Sequence, residues 1–162
     1  MLADVLFLAG FATAIGCGLM AGLFFVFSVA VMPGLGRIAA PHGLSAMQAI
    51  NIAIINPLFL LVFLGTAVTS AVIVIASVID RSEGTAYFVA GGLLYLIGVI
   101  LVTSVVNVPM NNAMASLDVT AAQSVPRWQD YLRRWTAWNH VRTIASILAT
   151  ISVTLGLIAS AS

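Results

Sequence analysis

The chain has 162 residues, 62% of them hydrophobic and only 7% charged, with a formal net charge of +1. Ordinary soluble domains carry about 25% charged residues, so the composition excludes that class and points to a membrane protein. The small net charge argues against a nucleic-acid partner, because neutralising phosphates needs a basic patch; all six basic residues are arginine.

A membrane-spanning helix needs about 20 mostly apolar residues. The first such run covers residues 5–32. It has no basic residue ahead of it and is much longer than the apolar core of a signal peptide, about 7–15 residues, so it reads as a retained helix. Gly10, Ala14, Gly18 and Gly22 recur every four residues and predict a stripe for close helix packing. Cys17 is the single cysteine, which excludes an intrachain disulfide or a cysteine metal cluster and reads as a small core residue. The connection at 33–56 carries His42 in PHGLS, read as a turn, and then Gln48, Asn51 and Asn56. Asn56 precedes Pro57, so it reads as a cap or turn residue, with Pro57 in the first turn of the second helix.

The second run covers 57–79 and holds Thr66, Thr69 and Ser70, hydroxyls that can bond across helices. DRSEGT makes a tight hairpin to the third run, 86–106. Tyr95 sits near the middle of that helix, where a phenol needs a partner on a neighbouring helix or a cavity to line. Gly91 and Gly98 are expected to leave space around its ring. NVPMNNAMA follows, and Pro109 is expected to break or kink the helix. Asn107, Asn111 and Asn112 are there either to satisfy freed backbone groups or to bind a ligand.

No glycine or proline lies between Pro126 and Gly156. One helix is therefore predicted from about 127 to 160, about 50 Å long against a hydrocarbon core of about 30 Å. Its N-terminal end must project from the membrane or bend along its surface. Trp128, Tyr131, Trp135 and Trp138 form one stripe, continued by Asn139 and Arg142. The aromatics suit an interfacial belt. Arg142 starts an apolar run, where an ionisable residue faces the bundle interior or snorkels to the surface. His140 falls off this stripe.

The fold class is all-α: an integral membrane bundle of four transmembrane helices, the fourth extended at its N-terminal end, in a single domain over residues 1–162. Both long connections emerge on one side. They hold Arg37, Arg127, Arg133 and Arg134 against Arg81 on the other. The positive-inside rule then puts them in the cytoplasm and both termini outside; the membrane expected is a bacterial inner (plasma) membrane. None of the five acidic residues lies in an apolar run, which argues against a proton-coupled transporter, and the bundle is too short for the internal repeats of many transporters. His42 and His140, with no carboxylate nearby, make a poor metal site, so no metal is expected; a haem on one or both stays open.

Four stretches, GLFFVFSVAVMPGL (22–35), AMQAINIAIINPLF (46–59), NVPMNNAMA (107–115) and WQDYLRRWTAWNHVRTIAS (128–146), together resemble the anthrone oxygenase-like family of small four-helix membrane proteins. The resemblance covers nearly the whole chain and is strongest in the NxPxNN and W-N-H-x-R elements. It implies oxidation of an anthrone to an anthraquinone by O₂ with no cofactor, neither metal nor flavin. Under that implication His140 is the general base. Arg142, with Asn111 or Asn139, holds the developing oxyanion. Trp135, Trp138 and Tyr95 flank the flat rings, and Asn51, Asn107 and Asn112 complete the substrate-binding set. The partners expected are the lipid bilayer and an apolar aromatic small molecule. The alternative is a non-catalytic membrane protein that binds a small molecule or lipid, or serves as an assembly partner.

Overall fold

The computed structural model describes residues 2–81 and 83–160. Five helices account for all regular structure among them: α1 Leu2–Arg37, α2 Ala40–Ala53, α3 Pro57–Ile79, α4 Thr85–Ala115 and α5 Ser124–Ala159. All but α2 are long and apolar enough to cross a membrane, so the chain is an integral all-α membrane bundle. Asn56 caps α3 as its sequence context requires, its Oδ1 accepting from the Phe59 amide at 3.0 Å.

Three elements differ from expectation. The first helix continues past 32 through Pro33, and the third continues past 106 through Pro109. Both prolines follow wide π-helical turns, at Phe27–Val31 and Thr103–Asn107. The amides of Met32 and Val108, just before each proline, bond five residues back, to the carbonyls of Phe27 and Thr103. A proline clashes with the carbonyl four residues earlier and offers it no N–H. An extra residue in the preceding turn absorbs that misfit, so the helix runs on instead of breaking. The third difference is His42: PHGLS is no turn but the start of α2, with Pro41 in the first turn, where a missing N–H costs nothing.

The two wide turns sit in similar local sequence. SVAVMP at 28–33 is matched by SVVNVP at 104–109. At the same offset Gly16 and Gly22 align with Gly92 and Gly98, Ser70 with Ser146, and Thr66 with Arg142. In the bundle α1 and α4 each pack against both α3 and α5, while α3 and α5 do not touch.

Close approach holds the bundle together. A Cβ on Gly92 would lie 2.8 Å from the Ser70 carbonyl, and one on Gly91 would lie 2.6 Å from Val153. Gly91 and Gly98 therefore admit neighbouring helices and leave no room around the Tyr95 ring. That ring is fully buried, and its hydroxyl donates to the Phe63 carbonyl at 3.0 Å. Gly10 meets Leu157 and Phe88, but Gly18 and Gly22 face outward with nothing within 4 Å. The predicted glycine stripe is used at one end only.

A second core caps the polar end. Leu44 and Met47 of α2 bury against Met32, Met114, Trp128, Tyr131 and Trp135. Gln48 Nε2 donates to the Met114 and Leu117 carbonyls at 2.9 and 3.1 Å, closing the end of α4. The N-terminal extension of α5 is therefore packed on one side by this core.

Candidate functional site

Arg142 organises this end of the bundle. It is 5% exposed, and a guanidinium taken out of water is expensive unless paired. Among the described residues, no acidic side chain pairs with it. Its Nη2 donates to Asn139 Oδ1 at 2.8 Å and its Nη1 to Thr103 Oγ1 at 3.2 Å. Its charged carbon stands 4.4 Å from the centre of the Phe24 ring and 5.0 Å from that of Trp135. Aromatic faces attract a cation but do not neutralise it. Nε has no partner at all.

Asn139 holds the arginine in place. It is fully buried, and its Nδ2 donates to the Phe24 carbonyl at 2.6 Å and to Ser28 Oγ at 2.7 Å. Both acceptors sit where α1 enters its wide turn. With Nδ2 committed to acceptors, only Oδ1 is left for Arg142.

Asn111 is locked by the same logic in reverse. Its Oδ1 accepts from the Tyr131 hydroxyl and from Trp135 Nε1, both at 2.9 Å. An indole N–H can only donate, so the amide has a single workable orientation. Its NH₂ group is then left as a donor. Asn51 lies beside the Tyr131 hydroxyl.

These groups border a cavity of about 280 Å³. Its walls come from all five helices: Phe24 and Phe27 of α1, Met47 and Asn51 of α2, Phe59 and Phe63 of α3, Thr103 and Asn111 of α4, and Trp135 and Arg142 of α5. The volume is just under the usual small-molecule range of about 300–1,000 Å³, and the pattern of apolar walls with a few convergent polar groups is typical. Arg142 and Asn111 both line this space, and its lining holds no carboxylate and no imidazole.

Of the residues singled out from sequence, Asn51, Asn111, Trp135 and Arg142 line this cavity. Asn139 stands behind Arg142, and Tyr95 supports Phe63 from below. Asn107 is 1% exposed, one turn from Thr103 and Asn111, with neither amide atom partnered; it is not in the cavity wall. Asn112 is exposed, and Trp138 is 39% exposed on the outer surface. His140 is exposed as well, in an open groove with Pro33, Gln129, Arg133 and Thr136. The structure does not bring these three to the cavity. The open grooves at this end, about 450 Å³ each, are larger, but they are less suited to a ligand. Their Arg133 and Arg134 already contact Asp130, at 2.8 and 3.5 Å, and all three are well exposed. Thr103, Phe24 and Phe63 were not anticipated. Thr103 could have been found, since it precedes Asn107 and Asn111 at four-residue steps.

The sequence profile of the family described as anthrone oxygenase matches residues 57–152. The chain belongs to this family. The matched segment contains α3, α4 and the part of α5 that carries Trp135, Asn139 and Arg142, so most of the cavity's polar groups lie within it. No curated protein and no solved structure matches the chain.

Proposed function

We propose that this anthrone oxygenase family member oxidises a flat, apolar, enolisable aromatic of the anthrone type with O₂, in the cavity beside Arg142. The observation that carries this reading is a buried guanidinium with no carboxylate partner, facing an apolar space large enough for a small ligand. Such a site favours a ligand that brings its own negative charge.

An anthrone has a doubly benzylic CH₂ conjugated to a ketone. Loss of one proton gives an enolate with its charge on the ketone oxygen. Arg142 and the Asn111 NH₂ group stabilise that oxygen, and Phe24, Phe27 and Trp135 hold the rings. The enolate passes one electron to O₂. The carbon radical and superoxide combine through a C–O bond, and the hydroperoxide loses water to leave the second carbonyl. One oxygen atom of O₂ enters the quinone and the other leaves as water. The cavity lining offers no side-chain base, so the protein acts by making the substrate more acidic, and the proton passes to water.

The test is O₂ uptake by the purified protein with an anthrone. The wild type is expected to exceed the spontaneous rate. Arg142→Met is expected to lose about 100- to 1,000-fold, the usual loss for one oxyanion donor, and His140→Ala to keep its rate. Uptake no faster than buffer would overturn the reading. Equal loss in His140→Ala would restore that residue as the base.

A further inference from the structure

One seam of the bundle is only partly closed. α1 packs on α5, including its wide turn and the segment after Pro33. The seam between α4 and α3 is closed only over its first part. Among the described residues, no Cα of Thr103–Ala115 comes within 8 Å of one in Pro57–Ile79. The cause is the unequal length of α3 and α5. α5 begins at Ser124 and covers the upper part of α1, whereas α3 begins at Pro57 because Asn56 is extended and turns the chain into α2. At the end of α4, α2 packs against Met114 instead, without closing the seam to α3.

The gap leads into the cavity. Leu60 and Leu64 on α3 and Val108 on α4 line it and are 36%, 51% and 42% exposed. All three are apolar and lie on helices long and apolar enough to cross a membrane, which suits an opening toward lipid.

We propose that the seam between α3 and α4, rimmed by Leu60, Leu64 and Val108, is a portal through which the ligand passes sideways between the bilayer and the cavity. This rests on the reading of the cavity as the site of an anthrone-like aromatic. Such a compound dissolves in lipid far better than in water, so a lateral route meets it where it is concentrated. The ligand crosses the portal neutral and is ionised only beside Arg142. The quinone product carries no enolate charge, loses the attraction to Arg142 and returns by the same opening.

The experiment uses Leu60→Cys in phosphatidylcholine nanodiscs, before and after reaction with a bulky maleimide. Cys17 is 0% exposed and stays unlabelled. Leu61→Cys, next in sequence but 70% exposed and outside the cavity wall, is the labelled control. Quenching of Trp135 fluorescence by a hydroxyanthraquinone reports binding, with Trp135→Phe identifying its share of the signal. The label at 60 is expected to slow both association and release about tenfold, with the label at 61 slowing neither. Unchanged rates with the label at 60, or a lower affinity at unchanged association rate, would overturn the portal and leave the cavity reading standing. No quenching in the unlabelled protein would overturn that reading, and the portal with it.

Discussion

Arg142 Nη2 donates to Asn139 Oδ1 at 2.8 Å, and Asn139 Nδ2 donates in turn to the Phe24 carbonyl at 2.6 Å. The one buried arginine is thus fixed to the backbone of α1 through a single amide. Asn139→Ala should free the guanidinium to swing out of the cavity and leave two buried acceptors unpaired. The expected cost is about 1–3 kcal/mol in stability, with kcat falling more than KM rises. Thermal unfolding and O₂ uptake measured on one preparation check both parts.

Thr103→Asp places a carboxylate where the Thr103 hydroxyl now accepts from Arg142, at 3.2 Å. The arginine then has a resident counter-charge, and an anionic ligand loses its reason to bind. The folded protein should survive, while affinity for a hydroxyanthraquinone should drop about tenfold or more. A fluorescence titration against wild type and Thr103→Val checks this, the valine removing the hydroxyl without adding charge.

Asn111 separates stability from binding. Asn111→Leu leaves the Tyr131 hydroxyl and the Trp135 indole without an acceptor and should cost about 2 kcal/mol or more. Asn111→Asp keeps an acceptor for both but removes the NH₂ donor and puts negative charge at the cavity wall. It should remain close to wild-type stability and lose ligand binding. Unfolding curves and binding titrations of the two variants should therefore rank them in opposite orders.

The glycines test the packing account. Gly92→Ala would set a Cβ 2.8 Å from the Ser70 carbonyl and 2.5 Å from a Val74 methyl, and should destabilise by about 1–3 kcal/mol. Gly18→Ala meets nothing within 4 Å and should be neutral or stabilising by a few tenths of a kcal/mol. Thermal denaturation in detergent distinguishes them.

Much of this architecture was legible in the sequence because the signals are strong and local. Apolar run length fixes the four spans, and Asn56–Pro57 fixes where α3 starts. The aromatic stripe Trp128, Tyr131, Trp135 is the buried face of α5, and it leads inward to Asn139 and Arg142 as its spacing requires. Other features depend on tertiary context. Pro33 and Pro109 look like helix ends until the widened turns ahead of them are seen. His140 looks functional beside Asn139 and Arg142 in sequence, but one residue along a helix is about 100° around it, which carries its side chain to the outer groove. Trp138 leaves the stripe for the same geometric reason, since Asn139 takes the buried position one turn after Trp135. The α2 helix was hidden because its apolar face is short and its start, PHGLS, carries turn residues.

The central claim is that Arg142 holds its ligand as an anion inside an apolar cavity. The absorption spectrum of a bound hydroxyanthraquinone, followed across pH, tests it most directly, because neutral and ionised forms absorb at different wavelengths. If the claim holds, the bound ligand ionises at a pH at least about one unit below that of the same compound in lipid alone, a shift worth about 1.4 kcal/mol, and Arg142→Met abolishes the difference. A bound ligand that ionises at the same or a higher pH, or one whose ionisation is indifferent to Arg142→Met, would contradict it.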